Sequence, residues 1–196
     1  MNRLVYYLAL VLVAAQLLLV LVSWMLSAAF TDAVRPLLSA EGLRWFVGGF
    51  SLLLLTPLLS WLLLGAMAAG CFARSGVAGL FRRPLDYRRL LALRAVLLIV
   101  VVLVVVIVAL ALVPHAVLLS ATGRLWPSPF SDGLVPLLAL AVIIVSAVYG
   151  LAVRRFAGVI DVLRSLVGGL SASAPLLFIY VLAVQLFESV CFVFMI

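Results

Sequence analysis

Three polar residues near the C-terminus have side chains that can bind an ion, a proton or a polar solute. They are Gln185, Glu188 and Ser189, in an otherwise apolar stretch. Glu188 is the only acidic residue in a predicted membrane span, and it shares a helical side with Gln185 three positions earlier. Because an ionised side chain at the centre of a membrane helix costs about 2.5 to 3.5 kcal/mol, such residues usually have a role. We therefore predict that these three residues belong to a substrate or ion pathway.

A purely structural interpretation of Glu188 stays open. Only eight residues follow Glu188, so the last span can shift until the carboxylate reaches headgroup water at the outer interface. A carboxylate in that position needs no functional explanation, whereas one facing the bundle interior predicts an ion or proton site.

Residues for enzymatic chemistry are missing from the sequence. His115 is the only histidine, and it follows Pro114 at a predicted membrane boundary, so no second histidine can help it bind a metal. No serine has a recognisable base and oxyanion-forming glycine motif around it, and there is no phosphate-binding glycine loop. The sequence predicts a protein that is not an enzyme and has no metal or cofactor.

Composition determines the kind of fold that must position the polar residues. The 196 residues are 69% hydrophobic and only 10% charged, with a mean hydropathy of +1.47. A water-soluble domain of this size would leave far too much apolar surface exposed. We therefore predict an all-α, polytopic helical membrane protein in which residues 1–196 form a single transmembrane domain in contact with the lipid bilayer.

Uncharged apolar runs predict about five transmembrane helices, the first of them a retained signal-anchor helix. The predicted spans are residues 4–29, 45–73, 95–113, 133–153 and 175–196. Ser39 is a suitable N-cap ahead of Glu41, which predicts a short interfacial helix leading into the second span. Pro57 predicts a kink in that span. Pro175 is expected to open the last span, after a separate surface helix indicated by the apolar spacing of residues 159–167.

The distribution of arginine predicts how the spans are oriented. All 13 basic residues are arginine, and five of them lie in residues 81–94, which we interpret as a loop between two apolar runs. With the N-terminus in the cytoplasm, ten arginines lie on the cytoplasmic side and three outside, as the excess of basic residues in cytoplasmic loops requires. Because the arginines gather beside apolar spans, the net charge of +7 indicates contact with anionic lipid headgroups and not with nucleic acid. We expect a multi-pass protein of the cell inner (plasma) membrane.

Small residues in the second span predict a close helix contact. Gly65 with Ala69, and Ala66 with Gly70, repeat at four-residue spacing. Packing within one subunit and a seam between two copies both use such residues, so both interpretations stay open.

Five short strings resemble the p-aminobenzoyl-glutamate transporter (AbgT) family, in the family's order. They are LLSAEGLRWF at residues 37–46, RSG at 74–76, TGRLWPSPFSDGLVP at 122–136, VYGLA at 148–152 and AVQLF at 183–187. Together they spread the resemblance over roughly three-quarters of the chain. The resemblance implies a dimeric secondary transporter for p-aminobenzoyl-glutamate, or an exporter of sulfonamide-like antimetabolites, that uses an ion gradient and re-entrant hairpins.

The chain also departs from the family pattern. Family members are much longer, and much of the material expected between the RSG-like and TGRLWPSPF-like strings is missing, as is the second hairpin. Ala73 stands where an acidic residue is expected, and Cys191 and Phe192 replace polar positions after AVQLF. Two functions stay open: a shortened AbgT-like transporter of small aromatic solutes that needs a homodimer or a partner, and a non-transporting membrane scaffold or assembly partner.

Overall fold

The computed structural model describes residues 3–29, 34–79, 87–112 and 129–195. Within these ranges the chain forms six α-helices and one short 3-10 helix, Val77–Gly79, and it forms no strand. The α-helices are α1 (Arg3–Ala29), α2 (Ala40–Leu53), α3 (Pro57–Ser75), α4 (Tyr87–Leu112), α5 (Pro129–Ala152) and α6 (Val159–Phe194). A helix satisfies its backbone hydrogen bonds within one segment, which is what a lipid environment requires.

Five of the described helices are long and apolar enough to cross a membrane. The candidate spans are Arg3–Ala29, Pro57–Ser75, Tyr87–Ala109, Gly133–Ala152 and Val159–Phe194. The predicted all-α membrane fold with about five transmembrane helices is therefore confirmed. The cytoplasmic location of the N-terminus stays a prediction.

Helix α2 begins where the sequence predicts a helix start. Ser39 caps it, because the Ser39 hydroxyl accepts a hydrogen bond from the backbone N–H of Gly42 at 3.0 Å. Glu41 lies in the first turn, where its negative charge suits the positive end of the helix dipole. Helix α2 has 14 residues and is too short to span a bilayer. This length is compatible with the predicted interfacial helix.

The predicted kink at Pro57 is a break between two helices. Helix α2 ends at Leu53 and α3 begins at Pro57, so the second span predicted for residues 45–73 was wrong at its N-terminal end. Proline lacks a backbone N–H and disfavours a helical residue before it, but it fits well at the first position of a helix. Thr56, in the gap, forms a hydroxyl–hydroxyl hydrogen bond with Tyr180 of α6.

Two other predicted boundaries differ from the structure. The arginines predicted to lie in a loop from residue 87 onward belong to the first turns of α4, which begins at Tyr87. Helix α6 continues for 36 residues through Pro175, so the predicted surface helix and last span are one helix. Membrane helices tolerate proline because neighbouring groups and local adjustments satisfy the freed carbonyl. The predictions for Pro114 and His115 concern positions outside the described residues.

The chain groups into two compact units. Unit 1 comprises Met1–Leu59 and Ser173–Ile196, and unit 2 comprises Ser60–Ala172. Helices α3 and α6 contribute residues to both units. The single domain expected for residues 1–196 stays a prediction.

Unit 1 has a small apolar core between α1, the segment that follows it and the end of α6. Its buried members are Leu19, Val34, Leu37 and Val193. The ring of Trp45 stacks on that of Phe192 with a centroid distance of 4.5 Å, and the backbone N–H of Arg35 donates to the carbonyl oxygen of Val193 at 3.1 Å. These contacts fix the C-terminal end of α6 against the N-terminal part of the chain.

Unit 2 contains a close contact between the backbones of α3 and α6. A Cβ atom at Gly70 would lie 2.6 Å from the backbone nitrogen of Gly169, and a Cβ at Gly169 would lie 2.7 Å from the Cα of Gly70. Ala66 is buried at the same contact, whereas Gly65 has open space around it. The predicted close packing of Ala66 and Gly70 is therefore confirmed within one subunit.

Candidate functional site

Unit 1 contains a cluster of three neutral polar side chains, which we call the polar cluster. Gln16 contributes from α1, and Gln185 and Ser189 contribute from α6, where their four-residue spacing places them on one helix face. The side-chain nitrogen Nε2 of Gln16 donates to the Ser189 Oγ at 2.9 Å, and Nε2 of Gln185 donates to the same oxygen at 3.5 Å. The hydroxyl oxygen of Ser189 thus joins the two amides.

Both glutamine carbonyl oxygens in the polar cluster are buried without a hydrogen-bond partner. They are the Oε1 atoms of Gln16 and Gln185. The surroundings are closed to solvent, since Ser189 is fully buried and Gln185 is only 7% exposed. A buried acceptor without a partner costs about 1 to 3 kcal/mol. The polar cluster therefore offers two oxygens that a water, another hydrogen-bond donor or a cation can stabilise.

The structure brings two of the three predicted site residues together and leaves the third apart. Gln185 and Ser189 share the polar cluster, whereas Glu188 is half-buried and makes no hydrogen bond or ion pair with any described residue. Both interpretations of Glu188, as an ion or proton site and as an interfacial carboxylate, therefore stay open. One helical step separates it from Ser189, so it lies about 1.5 Å from that residue along the axis.

Gln16 is the site residue that sequence reasoning missed. It is the central residue of α1, with residues 3–15 before it and residues 17–29 after it. It is also the only polar side chain between residues 8 and 22. An amide in the middle of an apolar membrane helix needs a partner, and this position was therefore a usable signal.

The chemistry available to the polar cluster is binding, not bond making. Amide and hydroxyl oxygens are neutral acceptors that can receive hydrogen bonds from a solute or ligate a hard cation. Among the described residues, no group of three or more His, Cys, Asp or Glu side chains is placed to hold a metal ion. Neutral ligands also avoid the cost of placing a full charge in lipid.

Comparison with known proteins identifies one family. The model of the AbgT transporter family matches residues 84–193 of this chain, which is more than half of its 196 residues. No curated protein and no solved structure matches the chain. The matched segment contains Gln185, Glu188 and Ser189 but not Gln16, so the polar cluster combines residues from inside and outside it.

Proposed function

The chain belongs to the AbgT transporter family, and from that premise we propose that it moves p-aminobenzoyl-glutamate or a related small aromatic solute across the membrane. The family match is the observation that carries the proposal, because it includes all of α4 and α5 and nearly all of α6. Membership of a transporter family points to membrane transport and away from enzymatic activity. The aromatic solute is the finer part of the proposal, and it follows from the family resemblance.

The polar cluster supports this proposal by its chemistry. A p-aminobenzoyl-glutamate molecule carries an aromatic amine and an amide N–H, and both are hydrogen-bond donors. The carbonyl oxygens of Gln16 and Gln185 are buried acceptors without a partner, so a donor that enters the polar cluster would stabilise both solute and protein. We assign Gln185 and Ser189 to the substrate or ion pathway and add Gln16 to it.

Glu188 has a separate place in the proposal. A carboxylate inside a membrane span can carry a proton or ligate an ion, whereas a neutral amide cannot carry a proton. Because Glu188 follows the polar cluster residue Gln185 by three positions, it is suited to couple an ion gradient to solute binding nearby. This role requires the carboxylate to face the interior of the transporter.

We further propose that the chain works as a homodimer in the cell inner (plasma) membrane. A dimer would supply pathway walls that this shortened relative lacks. Gly65 has open space around it on α3 and remains available to a second copy. Light scattering of the protein in mild detergent should give the mass of two chains, and a monomer would contradict this part of the proposal.

Transport by purified protein in liposomes tests the proposed function. We expect saturable, gradient-dependent uptake of labelled p-aminobenzoyl-glutamate or of a sulfonamide, compared with liposomes that lack protein. The variant Gln185→Leu should lose this uptake, while replacement of the exposed Ser171 by alanine should not change it. Folded protein that moves neither solute would overturn the transporter proposal and favour the membrane scaffold or assembly partner.

A further inference from the structure

Unit 2 contains two adjoining cavities lined by arginine, which we call the arginine cavities. The smaller has a volume of about 230 Å³ and is lined by Arg89 and Arg155, among other residues. The larger has a volume of about 530 Å³ and is lined by Arg74, Arg155 and Arg164. Arg155 lines both cavities, so a single bound group can contact arginines from either side.

The charge of the arginine cavities is strongly positive. Among the described residues, four arginines and one acidic residue, Asp161, line them. The Asp161 carboxylate is already engaged, since it accepts the backbone N–H of Ala157 at 2.9 Å and pairs with Arg164 at 3.4 Å. Asp161 therefore offsets at most part of the positive charge, and an anion is the ligand that this lining favours.

Local backbone structure holds Arg155 over the cavities. The backbone N–H groups of Arg155 and Phe156 both donate to the carbonyl of Gly150, at 2.8 and 3.0 Å, and thereby end α5 in a tight turn. The buried ring of Phe156 packs against Gly150, which fixes this turn. On the facing segment, Gly76 has φ +81°, and a Cβ there would lie 3.1 Å from Nε of Arg155. The backbone conformation therefore favours a glycine, and a larger residue there would also crowd the Arg155 side chain.

The hydroxyl of Tyr149 also lines the smaller cavity. Tyr149 is only 4% exposed, and its hydroxyl makes no hydrogen bond with any described residue. A hydroxyl without a protein partner can donate its hydrogen to a ligand oxygen that enters the cavity. Guanidinium groups and a hydroxyl together match the oxygens of a phosphate group.

The surroundings of the arginine cavities favour a lipid as the source of that phosphate. The cavities lie where α3 and α5 end and where α4 and α6 begin. The helices whose ends form the cavities carry exposed apolar side chains in the same turns, among them Phe72, Leu91 and Ile160. Acyl chains can pack on such apolar helix surfaces while the headgroup stays at the arginines, whereas a free anion gains nothing from them. Basic pockets between the ends of membrane helices are suited to anionic headgroups.

We propose that the arginine cavities bind the phosphate group of an anionic phospholipid, held by Arg89, Arg155 and the hydroxyl of Tyr149. The site is independent of the proposed transport of an aromatic solute, because it lies in unit 2 and shares no residue with the polar cluster. Binding would link the start of α4 to the end of α5 through one headgroup.

Native mass spectrometry of the whole chain in a mild non-ionic detergent tests the proposal. Phosphatidylglycerol should bind at least about fivefold more tightly than phosphatidylcholine, since each arginine beside an anionic lipid contributes about that factor. Arg155→Gln should remove most of this preference. Arg44→Gln removes the same charge from exposed α2, outside the cavities, and should leave the preference unchanged.

Geometry and charge are separated by a second variant. Gly76→Ala keeps every charge but strains the backbone at φ +81° and crowds the Arg155 side chain, so it too should weaken binding of phosphatidylglycerol, with circular dichroism verifying the helical fold. Equal losses in the Arg155 and Arg44 variants would overturn the proposal in favour of diffuse surface charge. Equal binding of the two lipids would also overturn the proposal. So would displacement of the lipid by millimolar inorganic phosphate, which would indicate a site for a free anion.

Discussion

Unit 1 and unit 2 place their polar side chains in different environments and use different chemistry there. The polar cluster of unit 1 consists of two amides and a hydroxyl, is largely buried, and carries no charge. The arginine cavities of unit 2 lie at helix ends, and three of the four arginines that line them are exposed. The difference follows from desolvation, because a neutral amide costs far less to bury in lipid than a guanidinium does.

This difference indicates what each region can recognise. Neutral acceptors in the interior can release a bound donor or cation without leaving an unpaired charge behind. This property suits a solute or ion that must cross the membrane. Arginines at helix ends hold an anion by direct ion pairing, which suits a ligand that remains bound. Measurements of topology, transport and stability can each test whether the two units differ in this way.

The largest expected effect concerns the side of the membrane on which the arginine cavities lie. A reporter fused after Arg89 should be cytoplasmic, and one fused at Ser128 should be external, because ten of the 13 arginines then lie inside. Reporters active on one side only, such as phosphatase and a fluorescent protein, give an all-or-none result. The reversed pattern would place the arginine cavities at the external face.

Loss of the proton or ion site should abolish coupled transport. Glu188→Gln keeps the shape of the side chain but cannot cycle a proton, so gradient-driven uptake in liposomes should disappear while expression and assembly persist. Glu41→Gln, at the exposed start of α2, is the matched control. Unchanged uptake by the Glu188 variant would leave that carboxylate with an interfacial role and would remove it from the transport mechanism.

The contact between α3 and α6 in unit 2 should be sensitive to an increase in side-chain volume. Gly70→Leu forces a side chain into the backbone of Gly169 and should lower the free energy of unfolding by at least about 1 to 3 kcal/mol. Gly65→Leu, on the same helix but in open space, should have little effect. Thermal unfolding in detergent compares the two variants, and equal melting temperatures would contradict the close contact of α3 and α6.

A smaller effect is expected in the polar cluster. Ser189→Ala removes the shared acceptor of two amide donors and should cost about 1 to 3 kcal/mol, toward the lower end because Gln16 is half-buried. The double variant Gln16→Leu with Gln185→Leu removes the unpaired polar groups themselves and should recover or exceed the original stability. If the double variant melts below Ser189→Ala, the cluster is structural and its binding role is contradicted.

The smallest effect should come from the hydrogen bond between Thr56 and Tyr180. Thr56→Val keeps the shape of the side chain and removes one neutral hydrogen bond, so the free energy of unfolding should fall by about 0.5 to 1.5 kcal/mol. Tyr180→Phe should give a similar loss, and the two losses should not add, because both variants break the same bond. Full additivity in this double-mutant cycle would show that the two hydroxyls do not interact.

Local patterns made much of the fold predictable. Uncharged runs located the membrane helices, and the N-cap at Ser39 followed from the capping preference of serine. The four-residue spacing of Gln185 and Ser189 also places them on one helix face, although the sequence analysis paired Gln185 with Glu188. These features depend on residues close to one another in sequence.

Features that depend on distant residues were not predictable in the same way. The partner of Ser189 is Gln16, and no local pattern connects α1 with α6. The break before Pro57 and the continuous helix through Pro175 show that one residue type has two outcomes, decided by what packs around it. The arginine cavities likewise required the turn at residues 153–156 to place Arg155 over Gly76.

The hydrogen bond between Gln16 and Ser189 has a consequence for biogenesis. The two residues are 173 positions apart, so at about 5 to 20 residues per second the ribosome adds Ser189 roughly 9 to 35 seconds after Gln16. Throughout that interval the nascent α1 carries a central amide that its final partner cannot yet satisfy. We therefore expect this hydrogen bond of unit 1 to form late, only after α6 has been synthesised.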